Sequence, residues 1–453
     1  MPVSERLQFP SGFLWGVSTS AYQVEGNSIN TNWYEFEKAG GIKTGDRSGI
    51  ACNWWNRAED DFDIAQTMGL NSLRLSVSWA RIEPEEGIFN AIAIQRYRRM
   101  LNELLARNIR PVVCLHHFTH PLWFEQKGAF LSPQCVGDFT RFVKFTVAEL
   151  GDLCSDWITI NEPNVYGVEG YIDGNHPPAR KGQILEYFKV LGNMALCHGS
   201  AYHIIHGLQK EARVGFANHF IIFTEAHHEI FDRLAARIAS DSFNNAFINM
   251  ISGKRALPFS NIRSRLSEIN NTWDFIGVNI YGGVDVAFDI TRPETGFVRR
   301  LNPRNGRTGD LDEAGNPIFG EIYPQGIEIV VKKLAHHQKP FIILENGVPD
   351  REDRLRPWVI ATAVKTIHKL IQSGYPVLGY FHWTLIDNFE WAHGYYMKFG
   401  LVEMDPVTQE RRPRLSAGFY SEIAHNNCLT LDMVRRYVPE YVNDIFPDSA
   451  DER

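Results

Sequence analysis

The sequence is poor in cysteine and has neither an excess of positive charge nor a long apolar run. Its 453 residues include six cysteines, which form no CxxC pair and no Cys/His spacing typical of a zinc site. We therefore expect buried free thiols rather than disulfides or a metal centre. The formal net charge of -7 at pH 7 offers no basic field for nucleic acid or an anionic membrane. The cysteines are Cys52, Cys114, Cys135, Cys154, Cys197 and Cys428.

The sequence also predicts neither a targeting segment nor a membrane-spanning one. The stretch from Met1 to Pro10 contains Glu5 and Arg6 and lacks the apolar run of a secretory signal. No stretch is long and apolar enough to span a bilayer. We expect a cytoplasmic protein with no membrane partner.

Two groups of cofactor motifs are absent. Neither GxGxxG nor GxxxxGK[ST] follows the first predicted strand, so a nucleotide cofactor is not indicated. The group His116, His117 and His120 lacks the HExxH spacing of a metalloenzyme helix. The pair His227-His228 is predicted to lie on a solvated helix surface. We expect neither a cofactor nor a metal.

The sequence has an ordinary globular composition, with 44% hydrophobic and 22% charged residues, and short apolar runs recur along it. Several of these runs contain almost no polar residues between the apolar ones, which is typical of parallel strands buried on both faces. Eight strands are predicted, at Phe13–Thr19, Ser72–Trp79, Pro111–Phe118, Trp157–Asn161, Val214–Phe220, Phe275–Tyr281, Pro340–Asn346 and Val377–Thr384.

Segments with apolar residues at helical spacing lie between these runs. Eight alternating units over this length favour a closed (β/α)8 barrel over an open doubly wound sheet. The stretch from Arg300 to Gly320 is predicted to be a long surface loop after the sixth strand rather than a domain boundary. The predicted fold is therefore an α/β, single-domain (β/α)8 barrel over residues 1–453. Examples of the predicted helices are Ile94–Asn108, Val136–Leu150, Gly326–His337 and Pro357–Ser373.

Two of the predicted strands, the fourth and the seventh, run directly into a glutamate. Glu162 follows the strand that starts at Trp157, and Glu345 follows the strand that starts at Pro340. Barrel active sites lie at the carboxyl ends of the strands. Two facing carboxylates suit glycoside hydrolysis, in which one protonates the leaving oxygen and the other attacks or stabilises the anomeric carbon. A single strand-end glutamate can also cap the next helix.

Seven motifs occur in an order that resembles glycoside hydrolase family 1, the β-glucosidase and β-galactosidase group. Each is short, but together they span nearly the whole chain, and those with catalytic residues fall near predicted strand ends. The motifs are FPSGFLWG (Phe9–Gly16), SAYQVEG (Ser20–Gly26), LRLSVSW (Leu73–Trp79), NEP (Asn161–Pro163), ENG (Glu345–Gly347), DNFEWA (Asp387–Ala392) and FGL (Phe399–Leu401).

The resemblance implies a catalytic role for four residues. Glu162 would be the general acid/base and Glu345 the nucleophile of a retaining mechanism. Arg74 and Tyr281 would lie beside the nucleophile and keep it ionised, and its charge would raise the pKa of Glu162. Once the sugar esterifies Glu345, that repulsion disappears and Glu162 can act as a base towards water.

The resemblance also implies a sugar-binding set. Gln23, His117, Asn161 and Glu390 offer donors and acceptors for hydroxyls, and the indole faces of Trp383 and Trp391 suit the C–H side of a pyranose. Without the family resemblance, a histidine or tryptophan at a strand end would more often be a packing residue than a sugar-binding one. His116 is expected to be structural.

Four positions depart from the family pattern. Leu344 replaces a common Thr, Phe118 a common Trp, Gly282 a common Thr or Ser, and Lys398 a common Arg. None removes a catalytic carboxylate. We expect Gly282 and Phe118 to change the floor or the entrance of the pocket and therefore the aglycone preference.

The expected activity is that of a retaining exo-β-glycosidase on small β-glycosides or oligosaccharides: glucosides first, then galactosides and fucosides. A carboxylate at Glu390 would repel a sugar 6-phosphate, so unphosphorylated substrates are expected. The alternative that the protein is a transglycosidase using the same intermediate stays open. So does a catalytically silent sugar-binding protein on this scaffold, although such a protein would be expected to lose one carboxylate.

Overall fold

A computed structural model of the protein describes residues 5–253, 265–301 and 306–447. Its strands are β1 Arg6–Gln8, β2 Leu14–Ser18, β3 Ser72–Ser76, β4 Arg110–Cys114, β5 Asp156–Asn161, β6 Arg213–Glu225, β7 Phe275–Phe288, β8 Val298–Leu301, β9 Glu321–Ile322, β10 Phe341–Asn346, β11 Val377–Trp383, β12 Val402–Met404, β13 Arg411–Pro413 and β14 Cys428–Thr430.

Its α-helices are α1 Ala21–Val24, α2 Asn32–Lys38, α3 Trp54–Thr67, α4 Trp79–Ile82, α5 Ala91–Ala106, α6 Leu122–Gln126, α7 Cys135–Leu150, α8 Pro163–Gly167, α9 Ile184–Leu208, α10 Ile230–Ala239, α11 Ala246–Ile251, α12 Leu266–Ile269, α13 Gly326–Leu334, α14 Arg356–Gln372, α15 Leu415–Asn426, α16 Leu431–Tyr437 and α17 Val442–Ile445.

Eight of the strands pair in parallel and close on themselves. Their order is β2, β3, β4, β5, β6, β7, β10 and β11, and β11 pairs with β2. Strands β7 and β10 pair directly, although β8 and β9 lie between them in the chain: Glu345 of β10 is in register with Asn279 of β7. The predicted (β/α)8 barrel is confirmed.

The barrel interior is filled by side chains from seven different strands, which can meet only inside a closed sheet. Another, larger group of apolar side chains lies outside the barrel, between the sheet and the helices. All six cysteines are buried free thiols, as predicted. The interior group is Leu14, Val112, Cys114, Ile158, Ala217, Phe275, Ile342, Leu344 and Phe381.

Helix α5 shows how local sequence produces the outer layer. The Asn90 side chain caps the helix by accepting from the backbone N–H groups of Ile92 at 3.0 Å and Ala93 at 3.3 Å. Buried residues then recur at helical spacing along one face. They are Ala93, Ile94, Tyr97, Met100, Leu101 and Leu104.

Several predicted element bounds are wrong. The predicted third strand ends at Cys114 rather than Phe118, and the second ends at Ser76 because Trp79 begins α4. Strands β6 and β7 continue past the barrel to Glu225 and Phe288, since apolar and β-branched residues let their pairing extend beyond the rim.

Two further predictions are corrected in part. Residues 306–320 are irregular as predicted, but Arg300 and Leu301 belong to β8, which pairs antiparallel with β7. The pair His227-His228 lies in the turn before α10 rather than on a helix. His228 is fully exposed, whereas Nδ1 of His227 lies 2.7 Å from a carboxylate oxygen of Asp232.

Across the three described ranges, every helix is too short or too polar to cross a lipid bilayer.

Candidate active site

A cavity of about 410 Å³ opens at the carboxyl ends of the barrel strands. It brings Glu162, at the end of β5, together with Glu345, at the end of β10, although the two are far apart in sequence. Most predicted sugar-binding residues also line it. The lining near the carboxylates consists of His117, Glu162, His219, Tyr281, Glu345, Trp383, Glu390 and Trp391.

Glu345 lies at the end of a wholly buried strand and is itself 3% exposed. The guanidinium of Arg74 contacts its Oε1, and the hydroxyl of Tyr281 donates to its Oε2 at 2.6 Å. A side chain at Gly347 would collide with the carbonyl oxygen of Trp383. The glycine therefore lets the chain after Glu345 pass close to β11.

Glu162 is 6% exposed and sits at the junction of β5 and α8. Its φ of 46° lies in the left-handed region, which is uncommon for a non-glycine residue and is found most often where function demands it. Pro163 starts α8 directly behind it. The amide of Asn279 donates to Oε1 of Glu162 at 2.8 Å, and Nδ1 of His219 lies 3.3 Å from the same oxygen.

A buried polar chain connects the two carboxylates. Arg74, which is fully buried, contacts Glu345 and donates through Nη2 to Oδ1 of Asn161 at 3.0 Å. The same Oδ1 accepts from Asn279 at 3.1 Å, and Asn279 also donates to Glu162. One hydrogen-bonded path therefore fixes both acids relative to each other.

The two carboxyls are buried near each other's charge, so they titrate as a pair. Burial raises the pKa of Glu345 to about 7, against the lowering effect of Arg74. Burial would also raise the pKa of Glu162, but His219 and Asn279 lower it below its ordinary value. This order is the reverse of the expected one, because His219 supplies a partner that no sequence motif marks.

The predicted aromatic and histidine residues form one wall. The ring of His117 lies 5.7 Å from that of Trp391 and 6.1 Å from that of Trp383. Its ring nitrogens lie 2.8 Å from Nη2 of Arg74 and 3.0 Å from Nδ2 of Asn161. His117 is therefore held firmly by the polar chain as well as lining the cavity. His116 instead lies 3.5 Å from His120 and is 1% exposed, in agreement with a structural role.

Glu390 lines the cavity, and Gln23 holds it there. The Gln23 amide donates to Oε2 of Glu390 at 3.1 Å and is itself fully buried outside the lining, so it reaches the site through Glu390. Burial and the charge of Glu345 raise the pKa of Glu390 to about 8. Near neutral pH the protonated form of this carboxyl is therefore favoured, whereas the sequence predicted an anion.

Two of the departures from the family pattern lie in the cavity wall. Phe118 packs against Trp391 with ring centroids 5.0 Å apart. A side chain at Gly282 would collide with the carbonyl oxygens of Phe319 and Glu321. Gly282 thus lets the segment before β9 lie directly against β7, where Phe319 stacks on Tyr281 at 4.5 Å.

Sequence reasoning missed His219 and Asn279 as site residues. Both lie inside predicted strands, within the runs Val214–Phe220 and Phe275–Tyr281, where no motif distinguishes them from the rest of the strand. The available signal was a polar side chain near the carboxyl end of an otherwise apolar run. In a parallel barrel that position faces the active site.

One group among the described residues brings three possible metal-binding atoms within 4.8 Å of one another, from Asp312, Glu313 and His393. Their atoms are already used by the protein. The Asn316 backbone N–H donates to Asp312 at 2.7 Å, and Nδ1 of His393 lies 2.9 Å from Oε2 of Glu313. The expectation that the protein needs no metal or cofactor stays a prediction.

Comparison with known proteins agrees with this geometry. The profile described as glycosyl hydrolase family 1 matches residues 5–429. Beta-glucosidase A of Thermotoga maritima is 32% identical, over 93% of this chain and 99% of its own. A beta-galactosidase of Pyrococcus woesei is 28% identical, over 93% and 98%.

A solved structure shows the same architecture. The beta-glycosidase from Pyrococcus horikoshii superposes with a TM-score of 0.85 at 36% identity, covering 95% of this chain and 98% of that one. The barrel, the paired strand-end glutamates and the family match over most of the chain lead to one conclusion. The chain belongs to glycosyl hydrolase family 1 and is a β-glycoside hydrolase.

Proposed function

We propose that the protein is a retaining exo-β-glycosidase of small unphosphorylated β-O-glycosides, with Glu345 as nucleophile and Glu162 as general acid/base. The observation that carries the proposal is the asymmetry of the two carboxyls in one cavity. Glu345 is held by a cation and a phenol, whereas Glu162 is held by an amide and an imidazole. The first set favours an anion, and the second tolerates a proton.

The charge on the Glu345 side does not depend on pH. His219 lowers the pKa of Glu162 both electrostatically and through a side-chain hydrogen bond, whereas the guanidinium of Arg74 contacts Glu345 directly and keeps its proton throughout the physiological range. With Arg74 and Tyr281 as its partners, we assign the negative charge of the pair to Glu345 and its proton to Glu162.

The reaction then runs in two displacements. A carboxylate oxygen of Glu345 bonds to the anomeric carbon as the bond from that carbon to the leaving oxygen breaks, and Glu162 gives its proton to that oxygen. Esterified Glu345 no longer repels a charge on Glu162. Glu162 next takes a proton from water, the water oxygen bonds to the anomeric carbon, and Glu345 leaves as a carboxylate.

The wall around the carboxylates supports recognition of a neutral sugar. Trp383 and Trp391 offer apolar faces, and protonated Glu390 can both donate and accept. Among the described lining residues, the side chains of Lys43 and Arg300 lie 3.8 Å from Glu313 and 4.0 Å from Asp173. Both cations are already opposed by carboxylates. Among the residues that the structure describes, the lining therefore has no cation cluster for a sugar phosphate, and this observation replaces repulsion by Glu390 as the argument for unphosphorylated substrates.

The relatives support glucosides as primary substrates and galactosides as further ones, since they include a beta-glucosidase and a beta-galactosidase. Fucosides stay an extension of the same proposal.

We further propose that residues 1–453 form one domain and that the protein is cytoplasmic. Six buried free thiols are consistent with that location.

The test is proton NMR of the first sugar released from a nitrophenyl β-glucoside. The proposal predicts the β-anomer before mutarotation, and an initial α-anomer would contradict the retaining mechanism. Product analysis at high alcohol concentration measures transglycosylation in the same samples. A silent sugar-binding protein would show no release at all.

A further inference from the structure

The outer face of helix α10 is apolar, although its inner face packs on the sheet through small alanines. Its larger apolar side chains point outward, where Ile230 is 73% exposed, Phe231 58% and Leu234 48%. Ile230, Leu234 and Ile238 recur at every fourth position and form one stripe. A surface helix normally turns its large apolar side chains inward, so the reversed arrangement calls for a partner on the outer face. The inner alanines, which pack with β7 and β8, are Ala235, Ala236 and Ala239.

The stripe on α10 continues onto the neighbouring elements. The ring of Phe231 lies 5.5 Å from that of Phe288, which in turn lies 5.9 Å from the ring of Phe297. Phe231 and Phe297 are the two exposed phenylalanines among the residues that the structure describes. On the other side, Ile238 and Ile184 line the same cavity of about 520 Å³. We call this surface the α10 face, and it consists of Ile184, Ile230, Phe231, Leu234, Ile238 and Phe297.

The exposed apolar area of the α10 face approaches that of a stable protein interface. At about 200 Å² for a fully exposed side chain of this size, the exposed fractions of the six residues amount to about 600 Å². This area lies at the upper end of the range for the largest apolar patch on a monomeric protein. A stable interface buries about 800 Å² on each partner, which the α10 face reaches together with part of its charged rim.

Charges of both signs surround the α10 face. The Arg237 side chain lies 3.8 Å from Asp241 on α10. Just beyond β7, Arg292 and Arg299 lie 3.9 Å and 3.7 Å from Asp289. An anionic membrane or a nucleic acid attracts an excess of cations, whereas a rim that pairs both signs can complement a second copy of itself about a twofold axis. The charged residues of the adjoining cavity are also of both signs: Asp173, Asp241, Arg292, Glu294 and Arg300.

We propose that the α10 face is the interface of a symmetric homodimer, in which α10 packs antiparallel on α10 of the partner subunit. A twofold axis beside Leu234 brings Ile230 onto Ile238 of the partner subunit, because the two lie four residues before and after Leu234. The antiparallel arrangement places the positive end of each helix beside the negative end of the other. It also brings the fully exposed His228 near Asp241 of the partner subunit. The interface goes beyond the proposed function and does not depend on it.

The first experiment measures the mass of the full chain by sedimentation equilibrium. Wild type is expected to form a dimer of twice the 51.8 kDa chain. Ile230→Asp places a charge in the apolar interface twice per dimer and should raise the dimer Kd by about 100-fold or more. Ile92→Asp is the matched control and should leave the Kd unchanged, since Ile92 is 74% exposed and lies in the first turn of α5. An aspartate in the first turn suits the helix dipole, so both variants should keep the wild-type circular dichroism spectrum.

A cross-linking experiment tests the position of the twofold axis. Leu234→Cys should be joined to the same residue of the partner subunit by a short bismaleimide, because the two side chains meet at the axis. Ile92→Cys should stay uncross-linked. Wild type serves as the blank, since its six cysteines are buried.

Three outcomes overturn the inference. The first is a wild type that stays monomeric up to about 100 µM, far above the Kd of a stable dimer. The second is a dimer that Ile230→Asp and Ile92→Asp weaken equally, because its interface then lies elsewhere. The third is a monomer that binds phosphatidylserine vesicles and loses this binding in Ile230→Asp, which would assign the α10 face to a membrane.

Discussion

The surroundings of the two carboxyls differ in one respect that decides the chemistry. On the Glu345 side, the partners are Arg74 and Tyr281, and the guanidinium does not titrate in the physiological range. On the Glu162 side, the partners are the uncharged amide of Asn279 and the imidazole of His219. In the proposed mechanism, two glutamates of identical intrinsic chemistry would acquire different roles from their neighbours.

Removal of the nucleophile gives the largest expected effect and tests which side attacks. Glu345→Gly should lower kcat by about 10⁴-fold or more. Azide should then restore turnover by entering the vacated space and should yield the α-glycosyl azide. Glu162→Gly with azide should instead yield the β-glycosyl azide, because Glu345 still forms the intermediate. The roles are reversed if azide rescues Glu162→Gly to the α-product and never rescues Glu345→Gly.

The fall in kcat/KM on loss of the proton donor should depend on the leaving group. Glu162→Gln should reduce kcat/KM by about 10²- to 10⁴-fold for an alkyl β-glucoside, whose alkoxide needs a proton. The loss should be much smaller for a dinitrophenyl β-glucoside, whose leaving group departs without one. Equal losses on both substrates would mean that Glu162 does not protonate the leaving oxygen.

The contribution of the phenol on the Glu345 side can be measured alone. Tyr281→Phe removes the 2.6 Å hydrogen bond to Glu345 and keeps the ring stacked on Phe319. We expect kcat to fall by about 10- to 100-fold. Phe319→Leu, which removes the stacking partner and leaves the hydroxyl, is the control. A larger loss in the control would assign the effect to packing.

Removal of the imidazole on the Glu162 side should shift the pH profile rather than abolish activity. His219 lowers the pKa of Glu162, so His219→Asn should raise it. Since Glu162 must be protonated to act as an acid, the basic limb of kcat/KM should move to higher pH. We expect the change in the maximum to stay below about tenfold. A basic limb that does not move would show that the imidazole has no charge effect on Glu162.

The smallest expected effect concerns stability at Glu390. Its folded pKa of about 8 exceeds the ordinary value of a glutamate, so the folded protein binds more protons than the unfolded chain between about pH 4.5 and 8. The stability of the wild type should therefore fall as pH rises through that window. Glu390→Gln lacks this term, so its Tm relative to wild type should increase by about 1–3 °C from pH 5 to pH 8. A constant difference would contradict the raised pKa.

The barrel and the two glutamates could be predicted because their signals are local in sequence. Apolar runs such as Phe341–Leu344 end directly in a motif, and parallel strands bring their carboxyl ends to one edge. The pKa order could not be predicted, because it depends on His219, which sits in a strand and reaches Glu162 only through the register of β5 with β6.

The full lengths of β6 and β7 could not be predicted from sequence either. The extension of β6 and β7 beyond the barrel, which supports α10, also exceeded the predicted strand lengths. Local pattern shows where a strand lies, but tertiary packing decides how far its pairing continues.

The most direct test of the account is to trap the covalent intermediate. Reaction with dinitrophenyl 2-deoxy-2-fluoro-β-glucoside, followed by peptide mass spectrometry, should find the fluorosugar on Glu345, since the fluorine slows hydrolysis of the ester more than its formation. Label on Glu162, or inactivation without any labelled carboxylate, would contradict the assignment of the negative charge to the Arg74 side of the cavity.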